Sequence, residues 1–127
     1  MKYLLDTNIL LWWMDDDKKL NSLVYKIIQD KNNQILVSVV STIEISIKAK
    51  SGKLPLKTST KQIFEISGFE VLNINLNHII EFDKLPIHKD HKDPFDRILI
   101  AQAKVENLTL ITSDPKIWKY KMSVLKS

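Results

Sequence analysis

Four acidic side chains have the type and placement to do chemistry together: Asp6, Glu44, Asp96 and Asp114. Asp6 directly follows the apolar run Tyr3-Leu4-Leu5, and Asp114 closes Leu110-Ile111-Thr112-Ser113. Asp96 lies at the start of an apolar stretch just upstream, and Glu44 follows Ile35-Leu36-Val37 within a few residues. In open α/β sheets, ligands bind beyond the carboxyl ends of the strands. If the strands preceding these acids are neighbours, all four carboxylates face one crevice. Carboxylates held that close repel and raise each other's pKa unless a cation sits among them. Hard oxygen donors of this kind suit Mg²⁺ or Mn²⁺, as one or two ions. Such an ion activates water and steadies the charge that builds on a phosphodiester.

Each acid also has a plain structural use. Asp6 can cap a helix starting at Thr7, and Asp114 can cap the one after it. Asp93 and Asp96 can cap their helix and favour its dipole. Glu44 can complete a capping box with Ser41 or pair with Lys48 one turn on. His88 and His91, three apart, are a possible metal pair, but they sit in a loop with no helix to align them, which favours a role at a pocket edge. His78 reads as packed or partly exposed on an apolar helix. Trp12, Trp13 and Trp118 can stack on bases, though core packing is the commoner use. Serines are plentiful, with no nucleophile-elbow motif around them.

The elements that must position these groups follow from period and caps. Strands are expected at 2–5, 35–37, 70–74 and 108–111. Helices are expected at 9–14, 21–30, 59–66 (stopped at Gly68), 77–84 (stopped at Pro86) and from Asp93-Pro94 through Val105, with a short one at Ile117-Trp118. Leu20, Leu23, Val24, Ile27 and Ile28 form one helical face. The segment 38–50 is ambiguous: Ile43, Ile45 and Ile47 alternate like a strand, whereas Ser41-Thr42-Ile43-Glu44 spells a helix start, and Gly52 and Pro55 close it. Strands and helices alternate, which predicts an α/β fold with a central, mainly parallel sheet of about four to five strands.

Composition narrows the function classes. A chain of 127 residues, 44% hydrophobic and 27% charged, suits one packed domain over residues 1–127. With no cysteine, disulfides, thiolate metal sites and cysteine nucleophiles are excluded. The two glycines, Gly52 and Gly68, cannot write a glycine-rich phosphate loop. The longest apolar run, Ile9 to Met14, is far short of a membrane span, and Asp6 and Asp15-Asp16-Asp17 interrupt any signal peptide, so a cytoplasmic protein is expected. The formal net charge of +4 is unevenly spread. Lys48, Lys50, Lys53, Lys57 and Lys61 follow one another with no acid between Glu44 and Glu65, and the tail after Asp114 holds four lysines and no acid. Such stretches favour a polyanion, or are simply solvated faces.

Three motifs together resemble a known family. Leu4-Leu5-Asp6-Thr7-Asn8-Ile9-Leu10 looks like the opening signature of PIN domains, and Leu110-Ile111-Thr112-Ser113-Asp114 like their closing one. The run from Leu85-Pro86-Ile87-His88 through His91-Lys92-Asp93-Pro94-Phe95-Asp96-Arg97 to Ala103 resembles one subgroup closely. The likeness spans Tyr3 to about Ile117 and is similar to VapC-type toxins of type II toxin–antitoxin systems. It implies a PIN-like three-layer sandwich and a Mg²⁺- or Mn²⁺-dependent endoribonuclease leaving a 5′-phosphate and a 3′-hydroxyl. By position, the family's metal-site acids fall on Asp6, Glu44, Asp96 and Asp114, with Glu44 on a helix, as ligand or water-orienting base. Asp93 is an acid of the subgroup motif, and Thr7, Asn8 and Thr112 are hydroxyl or amide groups suited to supporting the acids.

The resemblance also implies a cognate antitoxin partner that covers the crevice, and a homodimer. Arg97, the only arginine, projects about 100° around its helix from Asp96; RNA phosphate, a partner and a neighbouring carboxylate are all open to it. Lys48, Lys50 and Lys53 are the candidate track for the RNA backbone. Two other classes compete: a catalytically silent PIN-fold module binding RNA or protein, and a Mg²⁺-binding phosphoacceptor domain. The latter needs a second acid beside Asp6 and one near mid-chain, where Thr7 and Leu54-Pro55-Leu56-Lys57 stand instead.

Overall fold

A computed structural model describes residues 1–54, 59–91 and 93–127. Pro55, Leu56, Lys57 and Lys92 lie outside the described residues. The elements are β1 (Lys2–Leu5), α1 (Thr7–Met14), α2 (Ser22–Gln29), β2 (Gln34–Ser38), α3 (Val39–Lys50), α4 (Thr60–Ser67), β3 (Glu70–Leu72), α5 (Leu76–Lys84), α6 (Pro94–Glu106), β4 (Thr109–Thr112), α7 (Pro115–Trp118) and β5 (Val124–Lys126).

The strands form one sheet in the order β3-β2-β1-β4-β5, and every pairing is parallel. Alternation along the strands splits the core in two. Tyr3, Leu5, Ile35, Val37 and Ile111 point to one face, where Ile9 and Leu10 of α1, Val24 and Ile28 of α2 and Ile63 of α4 cover them. Leu4, Leu36 and Leu110 point to the other, under Leu99, Ile100 and Ala103 of α6 and Ile117 of α7. Each such leucine or isoleucine taken out of water contributes about 1.5–3 kcal/mol. The result is the α/β fold with a central parallel sheet that the alternation of elements predicts, in the three-layer form that the resemblance implies.

Several local expectations shift. Helix α1 starts at Thr7 rather than Ile9, because Asp6 caps it by accepting the Thr7 N–H at 2.8 Å. Leu23 leaves the buried face of α2 and is 60% exposed, since it lies one residue, about 100°, from Val24. The segment 38–50 is helical, but the Ser41–Glu44 capping box does not form. The chain turns as soon as it leaves β2, so Ser38 is the N-cap and accepts the Val40 N–H at 3.0 Å. Strand β3 stops at Leu72, two residues early, and β5 adds an edge strand within the lysine-rich tail. The start of α6 is as predicted: Asp93 accepts from the Phe95 and Asp96 N–H groups, with Pro94 at the first position. Gly68 stops α4 in the left-handed region at φ 71°, which glycine reaches without strain.

Candidate metal centre

The chain first builds the sheet outward from β1 through β2 to β3, then returns to place β4 on the other side of β1. The gap between β1 and β4 is therefore the switch point of the sheet, where such folds open a crevice at the carboxyl ends of the strands. Asp6 follows β1 and Asp114 follows β4, on adjacent strands. Asp96 enters from the first turn of α6, and Glu44 from the second turn of α3, which packs against both α1 and α6.

Asp6 is 4% exposed and held from two sides. One oxygen accepts the Thr7 amide, and the other accepts the Thr112 hydroxyl at 2.7 Å. Burial, then the charge of Asp96, pushes its pKa up to about 7 against the pull of those hydrogen bonds, with Glu44 adding to the rise. Asp96 is likewise raised to about 7, first by burial and then by the charges of Asp93, Glu44 and Asp114. Two carboxylates are thus strained by burial and by one another, the condition that a bound cation relieves.

Glu44 is buried and uses one oxygen on Lys48, at 2.9 Å. Its other oxygen, Oε1, is buried with no hydrogen-bond partner among the described residues. Lys48 is in turn held protonated, above the ordinary lysine range, mainly by its hydrogen bond to Glu44, with Asp93 and Asp96 contributing at longer range. Asp114 caps α7 by accepting the Lys116 N–H at 3.0 Å, so its structural use is met as well. Asp6 and Asp114 thus each cap a helix as well as standing at the crevice, whereas the caps of α6 and α3 are Asp93 and Ser38 rather than Asp96 and Glu44.

The tightest constellation differs from the expected set of four acids. Among the described residues, one donor atom each from His91, Asp96 and Asp114 lies within 4.8 Å of the others. Asp6 and Glu44 stand outside that trio, although the charge of Glu44 reaches Asp96 and that of Asp96 reaches Asp6. His91 is 3% exposed, and its Nε2 lies 3.1 Å from Asp96 Oδ2. Burial lowers its pKa, and Asp114 opposes that shift. His88, its expected companion, stays out of the trio and sets its ring edge-on to Tyr120. The donor set of carboxylates with one imidazole, and the orphaned Glu44 oxygen, fit a divalent ion of the Mg²⁺ or Mn²⁺ class.

The remaining candidates divide. Thr112 supports Asp6 directly and accepts the Asp114 amide at 3.1 Å. Thr7 donates to Ser41 at 3.0 Å, joining α1 to α3, while Asn8 is exposed. Asp93 is an exposed cap. Arg97 reaches no carboxylate: its Nη1 donates to the Pro86 carbonyl at 3.0 Å and to the Tyr120 hydroxyl at 3.1 Å. Lys50 and Lys53 are exposed, whereas Lys48 is half-buried against Glu44. Of the tryptophans, Trp12 and Trp13 pack on the core, and Trp118 donates to the Thr112 carbonyl at 3.2 Å. Tyr120 is the residue that sequence reasoning passed over. Its spacing of three from Ile117, on an apolar stripe, was the only available signal.

Comparison with known proteins agrees with this fold. No curated protein matches the chain in sequence. Among solved structures, VapBC2 from Rickettsia felis bound to a promoter DNA fragment is similar, with a TM-score of 0.71 at 18% identity, covering 99% of this chain and 98% of that one. A toxin–antitoxin complex from Klebsiella pneumoniae gives 0.69 at 22% identity, covering 98% of this chain and 96% of that one. VapBC-1 from nontypeable Haemophilus influenzae gives 0.65 at 20% identity, with 99% and 98% covered. At these identities the likeness speaks for the fold. The family model described as "PIN domain" matches residues 3–121, nearly the whole chain, and this chain therefore belongs to the PIN domain family.

Proposed function

We propose that the chain is a divalent-metal-dependent endoribonuclease, the VapC-type toxin of a type II toxin–antitoxin pair. The observation that carries the reading is the state of Asp6 and Asp96. Both acids are raised to about 7 beside the switch point of the sheet, and Lys48, whose charge only partly opposes the rise at Asp96, is itself paired with Glu44. Protein groups leave that negative charge under-compensated, as a site built for an ion would.

Asp6, Asp96 and Asp114 would hold Mg²⁺ or Mn²⁺ directly, with Glu44 Oε1 as a further ligand or as the acceptor that orients a water. A bound ion supplies water of lowered pKa and charge neutralisation at the scissile phosphate. The chain's own contribution is placement. Thr112 and the Thr7 amide fix the two oxygens of Asp6, Asp93 sets the first turn that carries Asp96, and Lys48 holds Glu44 at the crevice. Lys50 and Lys53, exposed just beyond, are the surface on which an RNA backbone would lie, since an acidic crevice alone repels it. Arg97 contributes by holding the loop before α6.

The toxin role is supported by similar solved structures, one described as a toxin–antitoxin complex and another as a member of the VapBC family of toxin–antitoxin systems. A cognate antitoxin, a homodimer and a cytoplasmic location belong to the same proposal. Among the described residues, no helix is long and apolar enough to cross a membrane.

RNA cleavage with added Mn²⁺ or Mg²⁺, with chelator, and with Asp6→Asn or Asp96→Asn tests the reading. Metal-dependent cleavage lost in both variants is expected. Cleavage that persists in chelator or in both variants would sink it.

A further inference from the structure

A chain of hydrogen bonds runs into the site from its outer edge, and its donors and acceptors can be assigned. Arg97 Nη1 donates to the Tyr120 hydroxyl at 3.1 Å, and the same nitrogen is fixed by the Pro86 carbonyl at 3.0 Å. A guanidinium has no acceptor, so the Tyr120 oxygen accepts there. That oxygen also lies 2.9 Å from His91 Nδ1. At the other end, His91 Nε2 lies 3.1 Å from Asp96 Oδ2. An ionised carboxylate only accepts, so a neutral His91 must carry its proton on Nε2 when it meets Asp96 in that state. Nδ1 is then an acceptor, and among the described residues the Tyr120 O–H is the donor positioned to fill it. One tautomer, Nε2–H, satisfies both ends of the chain at once. His91 and Tyr120 are both buried, at 3% and 4% exposure, so water does not compete for these bonds.

We propose that His91 is a positioning residue for Asp96 rather than a metal ligand: the Arg97–Tyr120 arm locks its Nε2–H tautomer, which holds Oδ2 and leaves Oδ1 of Asp96 for the ion. The inference rests on the metal-nuclease reading and deepens it. It also resolves the trio of His91, Asp96 and Asp114, whose donor atoms lie within 4.8 Å of one another. An imidazole nitrogen that carries a proton cannot coordinate, so the trio is two ligands and the support of one of them. A supporting hydrogen bond of this kind raises ligand basicity and fixes ligand orientation, and its loss typically costs roughly 10–100-fold in metal affinity.

Two measurements on the full chain test this, neither of which reads RNA cleavage. In a long-range ¹H–¹⁵N correlation spectrum, His91 should show the Nε2–H tautomer both metal-free well above pH 7, where Asp96 is ionised, and with saturating Mg²⁺. A switch to the Nδ1–H form on adding Mg²⁺ would make His91 a ligand and overturn the proposal. In calorimetric titration with Mn²⁺, His91→Leu should weaken binding by roughly 10–100-fold. His91→Gln, whose amide N–H reaches as far as Nε2, should recover most of that loss. Tyr120→Phe keeps the packing ring, removes only the hydroxyl, and should weaken binding by a smaller factor while releasing the fixed tautomer. If the two His91 variants bind Mn²⁺ as the wild type does, or if Gln serves no better than Leu, the positioning role is wrong and the metal-nuclease reading stands. If the wild-type chain binds no Mn²⁺ at all, the metal-nuclease reading fails and takes this one with it.

Discussion

Helix α6 carries a histidine–carboxylate pair at each end. At its N-terminus, His91 meets Asp96 at 3.1 Å; at its C-terminus, His78 of α5 meets Glu106 at 3.2 Å. Both imidazoles are buried, and both take a hydrogen bond on Nδ1: the Tyr120 hydroxyl for His91, and the Asn75 backbone N–H for His78. The local chemistry is nearly the same, but the consequences differ with position on the sheet. The Glu106 end lies toward the amino edge of β4, where its carboxylate is part-exposed, and the pair clamps α5 onto α6. The Asp96 end lies at the carboxyl ends of the strands, among Asp6, Glu44 and Asp114. A histidine–acid pair is a clamp in one place and part of a charged site in the other, and fold topology makes that choice.

The largest expected difference is in activity. Asp96→Asn should lower RNA cleavage by more than the roughly 10–100-fold that losing a supporting residue costs, while Glu106→Gln should leave it unchanged. Equal losses in the two variants would erase the distinction. Stability should divide the other way. His78→Ala empties a fully buried site that also faces Gln102, and should cost about 2–4 kcal/mol in urea unfolding with Mn²⁺ affinity retained. A His78 variant as stable as the wild type would show that the clamp holds nothing.

A third contrast lies in pH. Asp6 and Asp96 have folded pKa values raised to about 7 from 3.8. Between these values the folded chain binds more protons than the unfolded chain, so its stability falls as pH rises. The favourable contribution is complete below about 3.8 and lost as pH passes through about 7. Metal-free protein should therefore unfold at lower urea at pH 8 than at pH 5. Mn²⁺ should restore the pH 8 midpoint, and Asp6→Asn should flatten the difference. A midpoint that rises toward pH 8 and is insensitive to Asp6→Asn would contradict the picture of under-compensated acids. The smallest effect belongs to the far end of α6. Asn107 stops the helix in the left-handed region at φ 58°, ψ 43°. Asn107→Ala should cost about 1 kcal/mol by thermal melting, with no change in Mn²⁺ affinity.

Local signals are legible in the chain where a cap or a stop decides a helix end. Asp93-Pro94 opens α6 and Gly68 ends α4, because a cap or a left-handed stop depends on adjacent residues alone. The Ser41–Glu44 box failed for the converse reason. The pattern was present, but the exit from β2 at Ser38 had already committed the backbone to helix. His91 could not be ranked above His88 from spacing, since only the packing of the loop between α5 and α6 separates them.

By itself, the sequence determined the alternation of strands and helices, the two-faced strand pattern that buries the sheet, and which acids stand at element boundaries. Those are local properties of period, caps and residue type. Only the tertiary structure decided that β4 returns beside β1, bringing Thr112 to Asp6 across 106 positions of chain. It also decided that Arg97 turns toward Tyr120, and that Glu44 keeps one buried oxygen without a partner. Charge repulsion, desolvation and hydrogen-bond direction depend on distances through space, and the order of residues along a chain does not contain them until the sheet has closed.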